Sequence, residues 1–328
     1  MTPNPQTPTA TAPARGPVRV HGTRFRHADG APFHPWTTSV PQADEATLRT
    51  LAGSPFTKVR ILDATLPLDR LEHQVRALGG LGVQAEVMLH GRDIPETVTR
   101  LAGQPHVWWC APPDPEAQTD IQEHDHGHHP LTVHGPPGTD FGAPWITHAS
   151  VCHPQTRAVS RLVQDLCKPV LVDDCGAEGD DPDDPERALP GRELVSRIWE
   201  AVCRGGYAAH AESWGPRPWS GGGGRLAGTA VRRVAFLRAV LEAAPPGLAH
   251  TPETYDASTL EAPGEYVLQY LGPHRYPRRP FDLPAGTWRV ELLDTWNMTV
   301  RTLHDACGTG AVVELPAEPY LAVRLRRR

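Results

Sequence analysis

The chain has 328 residues, of which 39% are hydrophobic and 21% are charged. This composition is typical of a soluble globular protein and excludes a chain that is disordered throughout. Thirty-two Lys and Arg residues stand against 38 Asp and Glu residues, a formal net charge of -6, so the overall charge gives no reason to expect nucleic acid or an anionic membrane as a partner.

The first 17 residues differ in composition from the rest of the chain. They hold five prolines and four threonines, which predicts a disordered leader over residues 1–17. This segment lacks the apolar stretch of a secretory signal, and charges or prolines interrupt every candidate membrane span. The six cysteines form no CxxC pair, which favours reduced thiols over a disulfide framework. We therefore expect a cytoplasmic protein.

From Phe33 onward, short apolar runs alternate with segments of helical period, a pattern that indicates βα units around a parallel sheet. Eight strands and the helices between most of them predict a (β/α)8 TIM barrel. The strands are predicted at 35–40, 57–63, 83–89, 106–111, 130–135, 145–151, 169–174 and 207–213.

The predicted barrel is somewhat reduced. About 180 residues separate Phe33 from Trp214, against about 250 in a typical barrel of this kind, and the connections after strands four and five look short. One or two outer helices are therefore expected to be missing. The barrel is predicted to occupy residues 18–247. Alternating apolar and polar runs, divided by Gly and Pro turns, predict a small antiparallel β-sandwich over residues 248–328.

Polar and aromatic residues cluster at the ends of the predicted strands, where a TIM barrel meets its substrate. Carboxylates, imidazoles and indoles on one barrel face suit a carbohydrate or glycoside substrate. Sugars offer hydroxyls to polar groups and C–H faces to Trp, and two opposed carboxyl groups can cleave a glycosidic bond. The candidates are Arg60, His90, Trp109, Asp114, His134, His148, Asp173, Asp174, His210, Glu212 and Trp214.

Seven phrases carry a resemblance to a known family. They are SPFTKVRILDA, HVWWCAPPD, PWITHASV, KPVLVDDCGAEG, WEAVCRGGYAAHAESW, GGRLAGTAVRRVAFLR and LLDTWNMTV, in this order. Over residues 22–327 the chain resembles the apiosidase-like glycoside hydrolases of clan A, which carry a C-terminal β-sandwich. The resemblance implies a TIM barrel that hydrolyses a glycoside and needs no cofactor.

The resemblance also implies roles for individual residues. In clan A barrels the acid/base is the Glu of an Asn-Glu pair after strand four, and the nucleophile is a Glu at the end of strand seven. Asp114 matches the first Glu position, with Pro113 at the Asn, and Asp174 matches the second. Asp114 would then be the proton donor and Asp174 the nucleophile or base. Six further residues match the family pattern, and the resemblance implies that they position the substrate: Arg60, His134, His148, Tyr207, His210 and Glu212.

Both catalytic positions depart from the family pattern, because each carries Asp in place of Glu. Each change withdraws a carboxylate by about 1.5 Å, one carbon bond. The wider gap between the two carboxyl groups could favour an inverting reaction, or the misplacement could abolish catalysis. The alternative function is therefore a degenerate barrel that binds carbohydrate without cleaving it.

Two polar loops are alternative sites for a metal ion. The run EHDHGHH at residues 123–129 offers imidazoles, which are common zinc ligands. A barrel metallohydrolase needs ligands from several strand ends, however, and this run lies in one loop, so we interpret it as solvated. The acidic loop at 179–186 lacks the spacing of an EF-hand and is interpreted as an exposed turn. No metal site is predicted.

Overall fold

The computed structural model describes residues 16–126, 128–214, 217–219, 224–250 and 257–328. Apart from its last two residues, the predicted leader lies outside the described residues. No helix within these ranges has both the length and the apolar character that crossing a bilayer would require.

A small antiparallel sheet precedes the barrel. It consists of β1 (Val18–His21), β2 (Arg24–His27) and β3 (Pro32–Phe33). The ring of Phe25 lies 4.8 Å from that of Trp108 and 5.4 Å from that of Tyr207, and this cluster contains only buried side chains. The sheet therefore covers the N-terminal end of the barrel. The sequence pattern did not predict it, since its strands are short and rich in Arg and His.

Eight parallel strands close into a barrel, which confirms the predicted (β/α)8 architecture. Each strand overlaps its predicted range, because the apolar runs supply the residues that face the helices. The strands are β4 (Thr37–Val40), β5 (Lys58–Ile61), β6 (Gln84–Met88), β7 (Val107–Ala111), β8 (Leu131–Gly135), β9 (Ala149–Cys152), β10 (Val170–Asp174) and, after the short β11 (Glu178–Gly179) outside the barrel, β12 (Tyr207–His210).

The described residues form seven α-helices, which surround the barrel or cover its edges: α1 (Glu45–Ala52), α2 (Leu68–Gly80), α3 (Ile94–Leu101), α4 (Pro115–His124), α5 (Val159–Leu166), α6 (Gly191–Cys203) and α7 (Val231–Glu242). Residues 136–148, between β8 and β9, hold no α-helix, as expected. The prediction of a stunted connection after β7 was wrong, because α4 occupies it. Its local cause is the run Asp114-Pro115-Glu116, which supplies an N-cap and a Pro in the first turn.

The C-terminal part of the chain is antiparallel, as predicted. Before this part begins, β13 (Glu212–Trp214) pairs in parallel with β11 and antiparallel with β14 (Arg217–Pro218), forming a small mixed sheet. The strands that follow are β15 (Ala249–His250), β16 (Ser258–Ala262), β17 (Tyr266–Tyr270), β18 (Arg278–Phe281), β19 (Trp288–Asp294), β20 (Thr299–Cys307), β21 (Ala311–Glu314) and β22 (Leu321–Arg327). Six of them form one sheet in the order β15-β16-β17-β22-β19-β20, and β18 and β21 form a separate pair.

The C-terminal sheets dock on two barrel helices. The guanidinium of Arg233 on α7 stacks 3.4 Å from the ring of Trp296, and its Nε donates to the Trp296 carbonyl at 2.8 Å. On α6, Ser196 Oγ accepts a hydrogen bond from the hydroxyl of Tyr270 at 3.0 Å. The DTWNMT motif, which contains Trp296, therefore joins the two parts of the molecule.

Candidate active site

A cluster of buried charges fills the interior of the barrel below its C-terminal mouth. Arg60 Nε on β5 lies 2.9 Å from Glu86 Oε1 on β6, and Lys58 contacts the other oxygen of Glu86. Lys58 Nζ also lies 3.6 Å from Asp173 Oδ1 on β10, and Arg60 Nε lies 3.9 Å from Asp173 Oδ2. Strands β5 and β10 are not neighbours in the sheet, so these contacts cross the barrel interior.

The four charges compensate one another. Burial opposes the ionisation of Glu86, but the charges of Lys58 and Arg60 outweigh it and hold its pKa below the ordinary range. Burial likewise opposes the charge on Arg60, yet Asp173 and Glu86 raise its pKa. The two cations and two carboxylates give this cluster a net charge of zero. We call these four side chains the buried ion network.

A β-bulge in β10 sends two consecutive aspartates toward the mouth. In the pairing with β9, Val172 lies opposite Val151 and Asp174 opposite Cys152, so Asp173 is the extra residue. Consecutive side chains in a regular strand alternate between faces, and a bulge interrupts this alternation. Asp173 reaches the buried ion network, whereas Asp174 is exposed at the rim of the mouth. Because of the bulge, the side chains of these two consecutive residues both lie toward the mouth instead of on opposite faces of the strand.

Asp174 and His134 lie near each other at this rim. Asp174 accepts hydrogen bonds from the amide of Gly176 at 3.2 Å and from Cys152 Sγ at 3.7 Å. His134 is half-buried on β8, and its Nδ1 lies 3.0 Å from Ser150 Oγ. Burial, followed by the charge of Arg60, lowers the pKa of His134. The imidazole is therefore neutral at pH 7.

The hydrogen bonds of Ser150 fix the tautomer of His134. The Ser150 hydroxyl donates to Asp173 Oδ2 at 2.7 Å, because the carboxylate can only accept. Ser150 Oγ must then accept from His134 Nδ1–H. The lone pair of the neutral ring therefore lies on Nε2.

Sequence reasoning missed four residues of this site: Lys58, Glu86, Ser150 and Cys152. A signal was present for the first two. Both are charged residues inside runs that otherwise read as buried strand, and Lys and Glu are almost never fully buried unless they are paired. Placing both on the interior face of neighbouring strands would have predicted an ion pair inside the barrel.

Asp114 and His90 occupy a different place. Both are exposed, and both line a surface groove between the β6 and β7 ends, together with Pro112 and Glu116. Asp114 Oδ1 accepts a hydrogen bond from the amide of Glu116 at 3.0 Å and so caps α4. Within the described part of the chain, no hydrogen bond or ion pair links Asp114 to Asp174.

His210 and Glu212 lie on the outer side of the barrel wall. His210 Nδ1 lies 3.2 Å from Thr38 Oγ1, its ring is 5.0 Å from that of Phe56 in the helix-facing core, and its Nε2 is 3.2 Å from Glu212 Oε1. The exposed Trp214 donates its indole N–H to Glu212 at 3.0 Å. These three predicted substrate contacts therefore form a separate group.

This outer group holds the segment that leads into α7. Glu212 Oε2 accepts from the amides of Ala227 and Gly228 at 2.9 and 2.8 Å, and Glu178 accepts from the amide of Ala230 at 2.8 Å. A Cβ on Gly228 would lie 2.5 Å from a Glu178 oxygen and 2.6 Å from a Glu212 oxygen. The carboxylates thus bind backbone amides at the start of a helix, which favours negative charge there.

Three further predicted contacts lie away from the mouth. Trp109 is fully buried among the helix-facing residues, with its ring 5.9 Å from that of His129. His148 is buried against Phe25, 5.4 Å between rings, deep inside the barrel. Tyr207 lies in the buried cluster with Phe25 at the N-terminal end of the barrel, which the first sheet closes. The structure thus brings together Arg60, His134, Asp173 and Asp174 from the predicted set, and not these three.

The His-rich run is divided between a buried and an exposed part. His129 is buried, and its Nδ1 lies 2.6 Å from Asp125 Oδ1 while its Nε2 lies 3.1 Å from the Gln104 carbonyl. His126 and His128 are exposed, and residue 127 lies outside the described residues. The buried ring therefore packs behind β7 and is no part of the mouth.

The chain is similar to one family of domains in sequence and to several solved structures in fold. A family described as a domain of unknown function, DUF5605, matches residues 255–326. No curated protein matches the sequence of the chain. A provisionally assigned glycoside hydrolase from Bacteroides vulgatus ATCC 8482 aligns with a TM-score of 0.82 at 23% identity, over 96% of this chain and 83% of its own.

A second structure from the same organism, of glycoside hydrolase family 5, aligns with a TM-score of 0.73 at 13% identity, over 97% of this chain and 95% of that one. A third, described as a glycoside hydrolase, gives 0.73 at 14% identity, over 97% and 98%. The chain thus has the TIM-barrel fold of these glycoside hydrolases, with antiparallel sheets at its C-terminus.

Proposed function

We propose that the protein is a glycoside hydrolase of the apiosidase-like, clan A type, which binds its sugar at the C-terminal mouth of the barrel and needs no cofactor. The observation that carries the proposal is the contrast between the two aspartates of the bulge. Asp173 is neutralised by buried cations, whereas Asp174 is exposed at the rim and, among the described residues, lies in no ion pair. An exposed, uncompensated carboxylate suits a nucleophile or base.

Asp114 is the proposed proton donor. It follows β7, and Asp174 ends β10, so β8 and β9 lie between the two strands that carry these residues. A sugar that spans the mouth would have Asp174 on one side and the groove of Asp114 and His90 on the other. Asp114 would have to release the amide of Glu116 to reach it. Arg60 and His134 would position the sugar hydroxyls from the floor and rim.

One observation favours the second candidate, a barrel that binds a sugar without cleaving it. The carboxylate of Asp114 is engaged as the cap of α4, and a capped carboxylate is a poor proton donor because the cap requires the ionised or acceptor form. A binding barrel would keep the polar mouth and lack turnover.

A panel of aryl glycosides and plant oligosaccharides, assayed for both turnover and binding, distinguishes the two functions. On an accepted glycoside, Asp174→Asn should lower kcat by about 100- to 10,000-fold, the usual contribution of a positioned acid or base. Asp165→Asn, on the exposed face of α5, is the matched control and should leave kcat unchanged. Unchanged turnover in Asp174→Asn removes this residue from the mechanism, and binding without turnover in the wild type supports the second candidate.

A further inference from the structure

We infer that His134, Cys152 and Asp174 form a zinc site at the mouth of the barrel, where a bound ion would occupy the carboxylate of Asp174 and so block the proposed glycoside hydrolysis. Each residue offers one ligand atom, and these atoms all lie within 4.8 Å of one another. They come from the ends of three adjacent strands, β8, β9 and β10. This is the arrangement that the His-rich loop lacks, since the ligands converge from separate elements of a rigid barrel.

The ligand set is chemically suited to zinc. Zinc binds imidazole nitrogen, thiolate sulfur and carboxylate oxygen at about 2.0 to 2.3 Å in a tetrahedral arrangement, which places neighbouring ligand atoms about 3.5 Å apart. Cys152 Sγ and Asp174 Oδ2 already lie 3.7 Å apart. The ligand atom of His134 lies within 4.8 Å of the other two, so a small movement of this half-buried ring would bring all three atoms to the spacing of zinc ligands.

The hydrogen bonds of His134 leave its Nε2 nitrogen available to bind a metal ion. Its Nδ1–H donates to Ser150, which in turn donates to Asp173, so the Nε2 lone pair is the atom available to an ion. Histidine ligands of metal ions commonly donate their other N–H to a carboxylate or a hydrogen-bonded relay, which fixes the ring and its tautomer. Ser150 and Asp173 therefore act as positioning residues for this ligand.

The charge at the rim also fits a divalent cation. The buried ion network beneath it has two cations and two carboxylates and is neutral. The charges left at the rim are the carboxylate of Asp174 and, once deprotonated, the thiolate of Cys152. Together they carry two negative charges, which a doubly charged ion would compensate.

Binding would exchange a proton for the ion. In the protein without metal, the Cys152 thiol keeps its proton and donates a hydrogen bond to Asp174 Oδ2. When zinc binds, the S–H bond breaks, a Zn–S bond forms and the proton passes to solvent, so one proton is released per ion bound. No change of oxidation state is involved.

Cobalt(II) substitution tests the site directly. Protein stripped of metal with a chelator is titrated with Co²⁺ and then with Zn²⁺, with no glycoside present. One equivalent of Co²⁺ should give a thiolate-to-cobalt absorption band in the near ultraviolet, and one equivalent of Zn²⁺ should abolish it. Cys152→Ser and His134→Gln should lose the band. Ser150→Ala should keep its shape while weakening affinity about 10- to 100-fold, the usual effect of removing a residue that orients a metal ligand.

Two matched controls separate this site from others. Cys167→Ser removes the other exposed cysteine of the described residues and should keep the band. Changing His126 and His128 to Gln removes exposed imidazoles of the His-rich run and should also keep it. The inference is overturned if wild type shows no band, or if Cys152→Ser retains it. Melting temperatures unchanged from wild type would show that the variants fold, and since no sugar is used, a negative glycosidase assay does not affect the result.

Discussion

At the scale of the residue, Glu86 determines whether the polar interior of the barrel is stable. It contacts both Lys58 and Arg60 and is fully buried. A buried ion pair contributes little compared with an apolar pair, but removal of one partner is costly because it leaves an uncompensated charge in a medium of low dielectric constant. The buried ion network is therefore neutral only while all four of its side chains are present.

Replacing Glu86 with Gln should lower the free energy of unfolding by about 3 to 5 kcal/mol, the range for breaking a buried ion pair. Two cations would then face a single carboxylate, Asp173. Denaturant titration at pH 7 measures the change. Asp69→Asn, in an exposed pair with Arg100, is the control and should change stability little. An equally small change in both variants would show that the interior charges are solvated.

At the scale of the element, the sequence predicted the strands but not the bulge or α4. Apolar runs of strand length specify the eight barrel strands, because each must bury a face against helices. A bulge depends on which residue of β9 lies opposite each residue of β10, and one strand's own sequence does not contain that register. The helix α4 did carry a signal, Asp114-Pro115-Glu116, but reading Asp114 only as a catalytic residue obscured its function as a cap.

The two functions of Asp114 can be separated by substitution. Asp114→Ala removes the N-cap of α4 and should lower the free energy of unfolding by about 1 kcal/mol, whereas Asn caps nearly as well as Asp and should preserve stability. Thermal or denaturant unfolding measures both. If Asp114 is also the proton donor, Asp114→Asn loses turnover at full stability. Equal stability losses in the two variants would contradict the capping role.

At the scale of the whole molecule, the fold followed from the order of strands and helices, while the grouping of site residues did not. The pattern placed a polar residue after nearly every barrel strand, and the structure brings Arg60, Asp173 and Asp174 close together at one end. It could not tell inward from outward side chains. His210 and Glu212 therefore turned out to hold α7, and Trp109 to face the helices.

The closed end of the barrel was also invisible in the sequence, since it is built from contacts between distant segments. Phe25 of the first sheet meets Trp108 and His148 there. Their packing depends on closure of the barrel, which brings β2 against strands far along the chain. Such long-range contacts have no local signature.

This closed end makes stability depend on pH through His148. Burial, and then the charge of Lys58, lower the pKa of His148 to about 3, against about 6.5 in an unfolded chain. Between these values the unfolded state binds a proton that the native state does not, so the free energy of unfolding falls on acidification, by up to about 1.4 kcal/mol per pH unit. Denaturant titrations from pH 7.5 to 4.5 measure how the free energy of unfolding changes with pH. This dependence should be weaker in His148→Gln by up to about 1.4 kcal/mol per pH unit, the contribution of one proton, because Gln cannot titrate. His73→Gln, on the exposed face of α2, should keep the wild-type slope, and equal slopes in wild type and His148→Gln would mean that His148 is protonated inside the folded barrel.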